Sequence, residues 1–214
     1  MSSCQSDPLP EYGPRLKKEY ATRVPTVQKI AYSRQDTVYG YEMKVSYPAI
    51  QNNDAFNQLI QEKIRASRED FERFVADFDR EARNELTADF ELIHVTDSIV
   101  SIRHQYEWAV PGTSVLQYRF NNINFLPATN TSIGLEQLFR QGVDYRPLLS
   151  KLIKEKVKAE YELRLEEVTE ATLQSFVVGK NYIEFYIVLY PEIMEPEPKA
   201  IRIAFEQIRE ELAW

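Results

Sequence analysis

Val38-Tyr39-Gly40-Tyr41-Glu42-Met43-Lys44-Val45-Ser46-Tyr47-Pro48 sets Tyr39, Tyr41, Met43, Val45 and Tyr47 on one side of an extended chain and Glu42, Lys44 and Ser46 on the other. Such alternation marks a strand with one buried face. Pro48 is expected to end it, and Asn52 or Asn53 then offers a side-chain oxygen to the free amides of a new helix. In that helix Phe56, Leu59, Ile60, Ile64, Phe71, Phe74, Val75, Phe78, Ala82 and Leu86 recur at three and four residues with charges between them, so one face packs and the other is wet. The phenylalanine stripe is compatible with a lipid or ligand groove, but packing on a sheet explains it more simply. A half-buried strand followed by an amphipathic helix reads as a helix laid on a sheet.

Downstream, Phe90–Val95, Ser98–Trp108 and Ser114–Phe125 carry strand signals. In the second, Val100, Ile102, His104, Tyr106 and Trp108 share a face; in the third, Leu116, Tyr118 and Phe120 oppose Gln117, Arg119 and Asn121. Pro111-Gly112 supplies a turn between them, which favours a hairpin and an antiparallel sheet. Asp144 is the expected cap of a second helix with Leu148, Leu149, Leu152, Ile153, Val157 and Tyr161 as its stripe. A helical turn at Thr169–Leu173 precedes a strand pair, Ser175–Val178 and Tyr182–Tyr190, around the turn Gly179-Lys180-Asn181. The acidic proline segment from Pro191 to Pro198 interrupts the sheet, Ala200–Phe205 resumes it, and a terminal helix is expected from about Glu206. The pattern is α+β: antiparallel sheets with two main amphipathic helices and a short C-terminal helix packed on them.

The 214 residues suit one large domain or two small ones, and 43% hydrophobic with 28% charged residues puts the chain among globular proteins. A net charge of -7 argues against a general nucleic-acid binder. The basic run Lys151-Leu152-Ile153-Lys154-Glu155-Lys156-Val157-Lys158 reads as a solvated helix face. Residues 1–24, with Pro8, Pro10 and Pro14 and no apolar period, read as a tether. Residues 25–214 are the folded domain, divisible into sub-domains at 25–90 and 91–214.

Cys4 is the only cysteine, so no internal disulfide can form. Ser2 and Ser3 before it are small residues of the kind that precede a lipobox cysteine, and a tether follows. Cys4 is therefore expected to be a lipid-attachment residue of an envelope protein on the periplasmic or outer surface; the competing reading is a free thiol in a cytosolic N-terminus. No apolar run approaches the ~20 residues of a membrane span.

Catalytic chemistry has few footholds. Nucleophilic catalysis by serine needs a base, and His94 and His104 are the only histidines. No Gly-x-Ser-x-Gly elbow accompanies them. The two histidines with Asp97 supply part of a metal set, but His104 falls on the apolar face of its strand and reads better as a core histidine. Glu166-Glu167 and Glu210-Glu211 are sequence neighbours that point apart on helices, and Glu192, Glu195 and Glu197 belong to a loop. No catalytic residue, metal ligand or small-molecule cofactor is expected. Tyr182, Tyr186 and Tyr190 share one strand face and are the candidate ligand-binding residues, able to stack on sugar rings; tyrosine is also a favoured strand residue that a helix or second sheet would cover.

Val45-Ser46-Tyr47-Pro48 leading into Phe56-Asn57-Gln58-Leu59-Ile60, then Ser98-Ile99-Val100-Ser101-Ile102, Asn122-Ile123-Asn124-Phe125, Leu135-Glu136-Gln137-Leu138-Phe139 and Ile203-Ala204-Phe205-Glu206-Gln207-Ile208 occur in order. From about Thr26 onward the chain thereby resembles the bacterial extracytoplasmic domain of unknown function found in RsiV-like anti-sigma factors and beside the catalytic domain of some peptidoglycan deacetylases. The resemblance implies an α+β binding or sensing module outside the cytoplasm, whose relative in the anti-sigma factors binds lysozyme. Two loops depart from the family pattern, Pro111-Gly112-Thr113-Ser114-Val115 and Pro191–Pro198, so lysozyme recognition does not transfer to named residues. The resulting expectation is a non-enzymatic lipoprotein that binds a lysozyme-like protein or a cell-wall glycan; the alternative is an enzyme or enzyme accessory subunit acting on envelope polysaccharide.

Overall fold

A computed structural model describes residues 24–37, 40–76, 84–109, 116–189 and 197–213. Cys4 and the tether, Tyr39, the Pro111-Gly112 turn, Tyr190 and Glu192–Glu195 of the acidic segment lie outside the described residues. The first helix, α1 (Asp54–Val75), is capped by Asn53, whose side-chain oxygen accepts from the Phe56 N–H at 2.9 Å. Asn52 instead takes a left-handed φ of 60° in the preceding turn. Phe56, Ile60, Ile64, Phe71 and Val75 form the buried stripe, with Ser67 as its polar member. The Ser67 hydroxyl accepts from Asn121 Nδ2 at 2.8 Å, which satisfies a buried oxygen against the sheet.

α1 is shorter than its apolar period suggested. It stops at Val75, and Leu86 is fully buried in a strand, Asn84–Val95. Leu86 is spaced as a helix would place it, yet Asn84, Leu86 and Ala88 are buried while Glu85 and Thr87 between them are not, a strand's period of two. Phe78 and Ala82 fall outside the described residues.

The strands, in chain order, are β1 (Val27–Asp36), β2 (Tyr41–Ile50), β3 (Asn84–Val95), β4 (Val100–Ala109), β5 (Leu116–Leu126) and β6 (Thr131–Ser132), and they form one sheet in that order. Pro48 does not end β2, which continues to Ile50 with Pro48 opposite Lys29. It lies beyond Val45–Ala88, the last β2–β3 pair, where no ladder partner exists on that side. β2 and β3 are parallel, unlike every other neighbouring pair in the sheet. The departure from the expected antiparallel arrangement follows from α1: a helix between two strands returns the chain to the starting end, so the next strand runs the same way.

The rest of the chain builds a second layer pair. α2 (Tyr145–Tyr161) is capped by Asp144 as expected, and α3 (Glu170–Gln174) precedes β7 (Phe176–Val178), β8 (Tyr182–Leu189) and β9 (Glu197–Ala204), an antiparallel sheet in that order. Leu149, Ile153 and Val157 of α2 bury against Ile183, Phe185, Ile201 and Ile203. The expected C-terminal helix is a single 3-10 turn, Phe205–Ile208. Beyond that turn the backbone pairs with the segment at 138–140 instead of continuing as helix: Glu211 C=O accepts from Arg140 N–H at 2.8 Å, and Ala213 N–H donates to Leu138 C=O at 3.0 Å.

The layers therefore stack as α1, the six-stranded sheet, the three-stranded sheet and α2. Apolar cores fill the two outer gaps, while a polar seam joins the sheets.

Candidate functional site

Alternation along the large sheet sends one set of side chains to α1 and the other to the opposite face. On that face the small sheet covers the end where Ser101, Asn122 and Asn124 are buried or half-buried. It leaves the remainder open as a groove of about 830 Å³. β3 contributes Thr87, Asp89 and Glu91 to the groove; β4 contributes Arg103, Gln105 and Glu107. Lys44 and Ser46 of β2 and Ser33 of β1 continue the floor, and Tyr186 of β8 forms a wall.

Lys44, Asp89, Glu91 and Arg103 are held in ion pairs. Lys44 Nζ lies 2.8 Å from Glu85 and 3.6 Å from Glu42, and the Glu85 hydrogen bond is the main cause of its raised pKa. At Asp89 burial pushes the pKa up, but the Lys29 ammonium at 2.8 Å and the Phe90 N–H together outweigh it and hold the carboxyl below its usual range. Arg103 donates to Glu91 with one terminal nitrogen and to Glu184 with the other. A floor of fixed ion pairs with Thr87, Gln105 and Ser33 among them presents directed donors and acceptors, the chemistry that recognises hydroxyl and amide groups.

The wall of the groove is held by the seam. Glu184 of β8 has a fully buried side chain; Arg202 Nε binds its second oxygen at 2.7 Å. Each carboxylate oxygen thus accepts from a guanidinium group. The Arg103 guanidinium also stacks over the Tyr186 ring at 4.3 Å, and Phe120 meets that ring edge-on at 4.2 Å. Nearby, Asn124 Nδ2 donates to Phe176 C=O at 3.1 Å and its Oδ1 accepts from Val178 N–H at 2.8 Å.

Of the tyrosines singled out by sequence, Tyr186 reaches the groove. Tyr182 lies further along β8, its ring against Arg202 at 4.9 Å and over Gly179, where a Cβ would come within 2.3 Å of the ring. His94, Asp97 and His104 do not converge, and among the described residues no group of three His, Cys, Asp or Glu is close enough to hold a metal ion. His104 faces α1, fully buried; its Nε2–H donates to Ser46 C=O at 3.1 Å and its Nδ1 accepts from Tyr106 O–H at 3.2 Å. Burial lowers its pKa to about 4. Glu166 is an exposed partner of Arg164, and Glu210 and Glu211 lie in the C-terminal turns.

Sequence reasoning missed Arg103 and Glu184. Each is a polar position in a strand's alternation, and nothing in one strand's pattern reveals that the two meet across sheets.

No protein-family model matches the chain, and no curated protein matches it by sequence. Among solved structures it is similar to a DUF3298 family member from Bacteroides fragilis, at 15% identity and a TM-score of 0.58 over 90% of this chain and 95% of that one. It is also similar to a DUF3298 family protein from Pseudomonas aeruginosa, at 9% identity and a TM-score of 0.63 over 89% of this chain and 95% of that one. At these identities the likeness is one of fold, shared along nearly the whole length of proteins from an uncharacterised domain family.

Proposed function

We propose that the chain is a bacterial envelope lipoprotein, lipid-attached at Cys4, whose folded part is a non-catalytic module that binds a lysozyme-like protein or a cell-wall glycan. The observation that carries this reading is the open groove, its hydrogen-bonding floor drawn from four strands and its tyrosine wall fixed by Arg103. Envelope glycans present hydroxyls, acetamides and sugar faces, which such a surface meets with directed polar groups and one aromatic edge. The resemblance to the RsiV-like ectodomain favours the same class of partner, with Tyr182, Tyr186 and Tyr190 as the ligand-binding tyrosines.

Isothermal titration of the 214-residue chain with lysozyme and with soluble muropeptides tests the reading. Binding of either that is lost in Thr87→Arg or Gln105→Arg, substitutions that fill the groove while leaving the core untouched, supports it. Retention of neither ligand removes both partners, and binding that ignores the groove substitutions removes the groove. Palmitate labelling in a bacterial host that is abolished by Cys4→Ser supports the anchor; labelling indifferent to Cys4 removes it.

A further inference from the structure

The two sheets have four edges, and two are closed in recognisable ways. A third, β5, is paired by β6 only at Phe125 and Leu126, but along the rest of its length its side chains are half-buried or buried except Arg119. The outer backbone groups of β7 are bound by the Asn124 side chain. β9 carries Pro198, which has no N–H to offer, opposite Val188. Short edges, covered edges and edge prolines are the usual devices against unwanted strand pairing.

β1 has none of them. It pairs with β2 without interruption from Val27–Ile50 to Asp36–Tyr41, contains no proline or glycine, and is exposed from Gln28 to Gln35. Ile30 and Tyr32, 37% and 36% exposed, share one face two residues apart. Its charges do not guard the edge either: Lys29 is turned onto Asp89 at 2.8 Å and Arg34 onto Asp36 at 3.1 Å.

We propose that β1 is a homodimer edge, to which the β1 of a second copy adds antiparallel about a twofold axis through Ala31. In that register Ile30 lies opposite the partner's Tyr32, Lys29 opposite the partner's Ser33 and Gln28 opposite the partner's Arg34, so apolar meets apolar and no like charges face each other. Self-pairing suits this strand by charge as well. In a chain of net charge -7 it carries two bases and one acid, so two copies meet along a segment whose net charge is opposite in sign to that of the whole chain. The axis stands normal to the sheet, so the two grooves open on the same side of one continuous sheet. The dimer does not depend on what the groove binds.

Sedimentation equilibrium of the 214-residue chain in a Cys4→Ser background, from low micromolar to several hundred micromolar, is expected to show dimers. Tyr32→Lys and Ile30→Lys are expected to shift the population to monomer with unchanged far-UV circular dichroism. Ala31→Cys is expected to give a disulfide-linked dimer on mild oxidation, whereas Gln35→Cys, far from its symmetry mate, is not. A monomer at every concentration overturns the proposal. So does a dimer that is insensitive to Tyr32→Lys and fails to link through Ala31→Cys, or an edge that captures only an added peptide strand.

Discussion

The Arg103 guanidinium of β4 and the Glu184 carboxylate of β8 meet between the two sheets, the Glu184 side chain wholly buried and that of Arg103 only 12% exposed. Replacing one partner leaves the other buried with one ion partner instead of two, Glu91 for Arg103 or Arg202 for Glu184. Glu184→Ala is expected to cost about 3–5 kcal/mol, in the range for breaking a buried ion pair. Arg103→Met with Glu184→Leu should lie closer to the parent, because an apolar pair leaves no uncompensated charge. Urea midpoints decide, and a double variant as weak as Glu184→Ala alone would refute the assignment of the cost to an under-paired buried charge.

Asn124 gives the second test of the seam. Its amide is a surrogate strand for β7, binding Phe176 C=O and Val178 N–H where no ladder neighbour exists. Asn124→Leu keeps the branching and the number of heavy atoms but leaves two buried backbone groups unpaired, at about 1–3 kcal/mol each. Hydrogen exchange at the Val178 amide should accelerate beyond the change in global stability. Unaltered exchange there would mean that another group takes over.

The helix cap offers a smaller, local effect. Asn53→Ala removes the acceptor for the Phe56 N–H and the Asn53 contact to Asn130 at 3.1 Å. A loss of about 1 kcal/mol is expected, typical of an N-cap. Asn52→Ala should not reproduce it, since the Asn52 side chain caps nothing; its left-handed φ makes any cost a backbone one.

Which parts of this arrangement were legible follows from what local pattern can encode. Phe56, Ile60, Ile64 and Phe71 announced α1, and Ile183, Phe185 and Ile187 announced β8, because each repeats at its element's own period and packs on one core. β1 was invisible, since an exposed edge strand has no buried face to alternate with, and VQKIAYSRQD carries no such pattern. Leu86 misled because its distance from Val75 satisfies the helical period. Arg103 and Glu184 stand 81 residues apart, and their meeting depends on how the sheets stack, which no single strand's alternation contains. Tyr186 was picked out as one of three tyrosines sharing a strand face, but its place in the groove is set by Arg103 and Phe120.

Buried His104 makes folding stability depend on pH. Desolvation lowers its folded-state pKa to about 4, against the opposing influence of the Ser46 hydrogen bond and of Asp89, while the unfolded chain titrates near ~6.5. Above that value both states hold a neutral imidazole and the contribution is complete. As pH falls from about 6.5 toward about 4, the unfolded chain takes up a proton that the folded one refuses, so stability declines; below about 4 both states are protonated and the dependence ends. The full loss is on the order of 3 kcal/mol at 1.36 kcal/mol per unit. His94, lowered by burial and then by Lys180, adds in the same direction. Urea unfolding between about pH 7 and about pH 5, above the range where most carboxylates protonate, isolates the histidines. His104→Gln, which can still donate to Ser46 C=O, should flatten most of that slope; an undiminished slope would assign the pH dependence to other groups.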